Sequence, residues 1–179
     1  YNFKPLREEL VAKGHTFRTE GDTETILHGY EEYGEDVVKR LNGMFAFVIW
    51  DERKQSLFAA RDHMGVKPFY YAIQNGAFYF GSEIKAILAH PDFKKDLDEP
   101  NISYYLTFAC VPAPYTLFKD VKKLPAAHAL TVDAKGELKI WEYWNPLEAP
   151  ATEKTEGEYI SEIRRLLTES IEGQMVSDV

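Results

Sequence analysis

The unbroken apolar run from Met44 to Trp50 most constrains what this chain can fold into. It is rich in aromatic and β-branched side chains, follows Asn42-Gly43 and stops at Asp51-Glu52-Arg53. A short apolar run bounded by turn-forming residues is expected to be a strand buried on both faces. The charged turn Glu52 to Gln55 leads into Ser56-Leu57-Phe58-Ala59-Ala60, so the two runs are expected to form a hairpin at the centre of a sheet.

Other elements follow from local signals. Pro5 suits the first residue of a helix with Leu6 and Leu10 on one face, ended by Gly14. Gly21-Asp22-Thr23-Glu24 opens a second helix through Ile26, Leu27, Tyr30 and Tyr33, and Asp36 to Leu41 forms a third, closed by Asn42-Gly43. Glycine at position 21 gives up the reciprocal bond that serine would make with Glu24. Asn75-Gly76, between Phe69 to Ile73 and Ala77 to Phe80, is a strong hairpin signal. Ser82 is expected to cap a helix through Ile87 and Leu88, and Asp98-Glu99-Pro100 to open one carrying Ile102, Tyr105 and Leu106. Val111-Pro112-Ala113-Pro114 cannot continue it. A last hairpin joins His128 to Val132 with Glu137 to Trp144. Strands grouped with helices, without a repeating strand-helix-strand pattern, indicate an α+β fold of antiparallel sheets layered with helices.

Asn145 to Lys154 reads as a linker. Beyond it Thr155 and Glu158 make a capping box for a helix with Ile160, Ile163, Leu167 and Ile171 on one face, which needs something to pack against.

A hydrophobic content of 45% over 179 residues supports one well-filled core. The net charge of −8 and the lack of a basic stripe argue against a nucleic-acid partner, because phosphate binding needs a basic face. No apolar run could span a bilayer, and no charged-then-apolar leader stands at the start, so no membrane association is expected. Cys110 is the single cysteine and suits a reducing cytoplasm. Residue 1 is Tyr, and polypeptide is expected upstream of it.

The residues Asn42-Gly43-Met44-Phe45-Ala46-Phe47 ahead of Trp50-Asp51, then Arg61-Asp62-His63-Met64-Gly65-Val66-Lys67-Pro68-Phe69-Tyr70-Tyr71, then Ser82-Glu83-Ile84-Lys85-Ala86, resemble the glutaminase domain of glutamine-hydrolysing asparagine synthetases. These are class II amidotransferases with an N-terminal nucleophile, and the likeness runs from Tyr1 to about Trp144. It implies an αββα layered fold, incomplete at its N-terminus. Residues 1–144 would be the C-terminal portion of the glutaminase domain, 145–154 a linker, and 155–179 the first helix of a synthetase domain. The parent enzyme would release ammonia from glutamine and use it, with ATP and Mg²⁺, to convert aspartate to asparagine. Members of the family often dimerise, so a homodimer is an expectation.

In that family an N-terminal Cys attacks the glutamine amide, and oxyanion donors lie in an Asn-Gly-Glu-Ile-Tyr-Asn sequence. This chain matches only its end, Tyr1-Asn2, so no catalytic residue is expected here and the fragment alone is expected to be inactive. The Ser-Gly-Gly-x-Asp-Ser nucleotide loop is also absent from the sequence. The resemblance carries one site residue onto the chain: Asp22, as the carboxylate that holds the α-ammonium of glutamine. Read from the residues alone, Asp22 is an aspartate capping its helix.

The remaining polar residues invite plainer readings. Arg61 and Asp62 are expected to pair at the hairpin end, with Lys67 solvated. The family pattern has Arg where His63 stands, so no role transfers to it. Glu83 and Lys85 read as surface residues; the Ser-x-x-Lys spacing of Ser82 and Lys85 lacks its companion motifs. Cys110 reads as an inert buried thiol. His15, His28, His63, His90 and His128 lack metal-ligand spacing along the chain, so no metal is expected. Glu31, Glu32, Glu35 and Asp36 read as a solvated acidic face, and the aromatic residues as core. Two alternatives stay open at this level: a non-catalytic binding or assembly module of the same fold, and the glutaminase part of another class II amidotransferase.

Overall fold

The computed structural model describes residues 1–148 and 152–175. The chain divides into two compact units, one made of residues 1–43 and 145–179 and the other of residues 44–144.

In the second unit, strands β1 (Ala46–Asp51), β2 (Ser56–Arg61), β3 (Tyr70–Gln74), β4 (Ala77–Gly81), β5 (Val121–Lys123), β6 (His128–Val132) and β7 (Leu138–Glu142) form two sheets. Their orders are β1-β2-β6-β7 and β4-β3-β5, and every pairing is antiparallel. Strand alternation sends Ala59 and Leu130 of the first sheet into a core shared with Phe69, Tyr71 and Leu124. On the opposite face of the first sheet, the Phe58 ring packs against Phe47 and Trp141. The second sheet's other core, Ala72 and Val121 with Phe93, is covered by Ile87 of helix α3 (Ile84–Leu88). The expected α+β fold with antiparallel sheets is what forms.

The run from Met44 to Trp50 is not the central strand. β1 lies at the edge of its sheet, with Trp50 55% exposed. Burial on both faces belongs to its hairpin partner β2, where Phe58, Ala59 and Ala60 are all buried, because β2 lies between β1 and β6. The Asn75-Gly76 hairpin forms as expected, both residues at positive φ, 53° and 75°. β5 is a strand the sequence does not announce: Val121-Lys122-Lys123 is short with two of its three residues charged, and it is paired through β3. Helix α3 is capped at Glu83, not Ser82, and without a side-chain bond. Helix α4 (Ile102–Phe108) buries none of its residues, so Tyr105, Leu106 and Phe108 are surface and not core. Ala109 in the left-handed region ends α4 and turns Cys110 outward, where its thiol is exposed, contrary to the buried thiol expected.

The connection from β2 to β3 is organised by two charged residues that do not pair with each other. The buried Asp62 carboxylate accepts the N–H groups of Met64, Val66 and Lys67 at 3.2, 2.9 and 2.9 Å. The Arg61 guanidinium donates to the carbonyls of Lys67, Leu124 and Gly65 at 2.7, 2.6 and 2.6 Å. Each charge is met by several backbone dipoles aimed at it, which is why an ion pair is not needed. Lys67 itself is exposed, as expected.

In the first unit, α1 (Phe3–Ala12) buries Leu6 and Leu10 and packs on α2 (Asp22–Tyr33). Pro5 falls in the first turn of α1, where its missing N–H leaves no intrahelical bond unmade. The buried side of α2 is Thr25, Gly29 and Tyr30, and Leu27 is exposed. Gly29 is required by close approach: a Cβ there would lie 2.7 Å from Val37 Cγ2. Val37 and Val38 are buried in the 3-10 segment Gly34–Arg40. α5 (Glu156–Gln174) starts with the expected capping box of Thr155 and Glu158. Its apolar residues Ile160, Ile163, Leu167 and Ile171 are all exposed. The stretch read as a linker contains a 3-10 turn, Pro146–Glu148, and its residues 149–151 lie outside the described residues.

Replacing Asp62 with Ala strands three loop amides in a buried site. Charge-assisted bonds of this kind support a loss of about 3 kcal/mol or more in unfolding free energy, measured by chemical denaturation.

Candidate functional site

Asp22 is the first residue of α2 and is exposed. Gly21, not Asp22, is the N-cap, and it brings no side chain to the helix amides. The Asp22 carboxylate accepts a long bond, 3.4 Å, from the Thr23 hydroxyl and, among the described residues, none from a helix N–H. The capping role that its residue type suggests is therefore not the one it plays. A carboxylate at the positive end of a helix, facing solvent, is available to a cation.

The turn that aims it has ordinary N-cap geometry. Gly21 has φ −77° and ψ 158°, values serine also adopts, and a Cβ there would meet only Thr19 Oγ1, at 3.9 Å. The departure from serine leaves the turn's shape intact. Glu24 closes the turn instead: its carboxylate accepts the Thr19 hydroxyl and the N–H groups of Arg18 and Thr19, the latter two at 2.8 and 2.6 Å. Those bonds, the Thr19 hydroxyl first, hold the Glu24 carboxyl down at about 2.

A second set of contacts gathers the chain's first residues beside this helix end. The Tyr1 nitrogen donates to Asn42 O at 2.6 Å. The Asn2 side chain donates to Arg40 O and accepts from Asn42 N, both at 2.8 Å. Gly43, at φ 142°, is needed here because a Cβ would lie 2.5 Å from the Tyr1 nitrogen. The Asp22 carboxylate is near enough to the Tyr1 nitrogen to act on it electrostatically. Asn42-Gly43 reads in the sequence only as a turn; that it also docks Tyr1-Asn2 has no local signal, because the partners are some forty positions apart.

The other candidates fall elsewhere. Arg61 and Asp62 are engaged with backbone, and Glu83 and Lys85 form an exposed pair at 2.6 Å. His63 is enclosed by the edges of Phe45, Tyr143 and Trp144, with ring centroids 6.2, 5.3 and 5.1 Å away. Burial lowers its pKa from the ordinary value, opposed by the nearby Asp62 charge. Burial and then Asp62 raise the Tyr143 phenol, which donates to Arg61 O at 2.8 Å. The acidic face of α2 is not simply solvated: Glu31 and Glu32 meet His15, His28 and Lys13. One ligand atom each from His15, His28 and Glu31 lie within 4.8 Å of one another, a grouping that spacing along the chain does not display.

Residues 1–144 match the family model described as a glutamine amidotransferase domain. The whole chain aligns with asparagine synthetase [glutamine-hydrolyzing] 3 of Bacillus subtilis (strain 168) at 46% identity and with asparagine synthetase [glutamine-hydrolyzing] 1 of the same strain at 38%. It aligns with a putative asparagine synthetase [glutamine-hydrolyzing] 2 of Methanocaldococcus jannaschii at 37%. The chain spans 29%, 28% and 35% of these relatives' lengths. Among solved structures, glutamine phosphoribosylpyrophosphate amidotransferase from B. subtilis superposes with a TM-score of 0.52 at 18% identity, over 80% of this chain and 27% of that one. A structure of the allosteric regulatory enzyme of purine biosynthesis gives 0.54 at 18%, over 80% and 26%. At that identity the likeness is one of fold.

The lowered His63 sets a pH dependence. Between its ordinary value of 6.5 and its lower folded value, the unfolded chain takes up a proton that the folded chain does not. His63 therefore costs no stability above 6.5 and progressively more as the pH falls below it. Comparing denaturation of the parent and His63→Phe across this range is expected to show a shallower acid slope in the variant.

Proposed function

The chain belongs to the glutamine amidotransferase domain family, and from that premise we propose that it is the greater part of the glutaminase domain of a glutamine-hydrolysing asparagine synthetase. In the proposed parent, ammonia released from the glutamine side chain converts aspartate to asparagine at a second site with ATP and Mg²⁺. The names carried by the full-coverage relatives favour this acceptor over a phosphoribosyl one, since the solved neighbours share only the fold.

Asp22 is proposed to hold the α-ammonium of glutamine. The observation that carries this is its exposed carboxylate at the open start of α2, near the Tyr1 nitrogen and, among the described residues, accepting from no helix amide. Asn-Gly-Glu-Ile immediately ahead of Tyr1-Asn2 would bring oxyanion donors to the same end of α2. The substrate's amide carbon would then lie between a fixed ammonium anchor and those donors, which is the positioning acyl transfer needs.

The nucleophile is proposed to lie outside these residues. Cys110, the one thiol in the sequence, is exposed beyond α4. Residues 155–179 are proposed to open the synthetase domain after the 145–154 linker, supported by the exposed apolar stripe of α5. ATP and Mg²⁺ are assigned to that domain and to no residue of this chain. No helix among the described residues is long and apolar enough to cross a membrane. A cytoplasmic, homodimeric parent completes the proposal, following the family resemblance.

Asparagine formation by the protein carrying this domain separates the roles. Asp22→Asn is expected to raise the KM for glutamine about 10- to 100-fold, the loss of one charged hydrogen bond, while leaving the rate with added ammonium salt unchanged. An unaltered glutamine KM would contradict the assignment. The 179-residue polypeptide alone is expected to show no glutaminase turnover.

A further inference from the structure

We propose that His15, His28 and Glu31 form a binding site for one divalent transition-metal ion of the zinc type, apart from Asp22's proposed substrate role. His15 lies in the connection that follows α1, and His28 and Glu31 stand three positions apart on one face of α2. Glu31 Oε2 lies 2.6 Å from His28 Nδ1 and 3.6 Å from His15 Nδ1, so both rings turn the same nitrogen toward one carboxylate oxygen. The two rings are 5.0 Å apart between centroids and tilted by 47°. Two imidazoles and a carboxylate converging in this way match a zinc-type donor set, and water completes the coordination.

The far nitrogen of each ring also faces a carboxylate. His15 Nε2 is 3.2 Å from Glu32, and His28 Nε2 is 3.7 Å from Glu24. Glu32, within hydrogen-bond distance, orients the His15 imidazole, selects the tautomer with its Nδ1 lone pair toward the metal and increases its basicity, while Glu24 adds only a nearby negative charge to His28. Phe17 packs edge-on against His28, 4.7 Å between centroids, and limits the ring's rotation. A hydrogen bond between His28 Nδ1 and Glu31 gives way to the ion, so binding displaces its proton and weakens in acid. The ion would pin the α1–α2 connection to the middle of α2. Magnesium and calcium fit poorly, since they take oxygen ligands.

Titration of the protein carrying this domain, free of any affinity tag, with ZnCl₂ by calorimetry and with CoCl₂ by visible absorption tests the proposal. The expected result is one Zn²⁺ per chain with a Kd at or below about 10 µM. The Co²⁺ complex is expected to show the intense absorption of a four- or five-coordinate ion. His15→Ala and His28→Ala are each expected to weaken Zn²⁺ binding at least about 10-fold, and Glu32→Gln, which removes an orienting carboxylate, by about 10-fold. A Co²⁺ spectrum identical to that of the hydrated ion overturns the proposal whether or not any variant folds. Equal Zn²⁺ affinity in the parent and a folded His15→Ala/His28→Ala double variant overturns it as well.

Discussion

A single buried carboxylate holds together the region between the two sheets. Asp62 accepts three loop amides through its side chain, donates its own N–H to Phe45 O at 2.8 Å and receives Gly65 and Ala127 N–H groups at its carbonyl. Arg61 beside it gathers three carbonyls and, through its own carbonyl, the Tyr143 hydroxyl. The connections before β1, after β2, before β6 and after β7 thus meet at two adjacent residues. A buried charge solvated by fixed backbone dipoles persists only while those dipoles hold position, so the clamp and the loop specify one another.

Much of this was legible in the sequence wherever a signal was local. The Asn75-Gly76 turn, the Thr155 to Glu158 capping box and the Leu6 and Leu10 face each depend on residues within a few positions, and each formed. What a strand packs against is not local. Met44 to Trp50 and Ser56 to Ala60 are both apolar, and pairing with β6 alone makes the second central and the first an edge. The three-residue β5 is too short for a periodic pattern. The expected Arg61–Asp62 ion pair failed because the sequence displays charges but hides backbone dipoles, which satisfied both groups separately.

The candidate site divides in the same way. Asp22 was legible as a helix-start acid, yet only the structure distinguishes a capping aspartate from one placed after a side-chain-free cap with its charge exposed. The docking of Tyr1-Asn2 on Asn42-Gly43 depends on contacts some forty positions apart and left no mark except the glycine that close approach demands. His15 and His28 likewise come together because α1 packs on α2, which their separation in sequence does not disclose. The same helix pairing therefore sets both the exposed end of α2 and the imidazole cluster on its flank.

The central claim is that this scaffold holds an amino acid by its ammonium group. A crystal structure of the intact protein, inactivated at its nucleophile and soaked with glutamine, measures this directly. The account predicts the α-ammonium within hydrogen-bonding distance of the Asp22 carboxylate. Glutamine bound with Asp22 still directed to solvent, and its ammonium held by other groups, would contradict it.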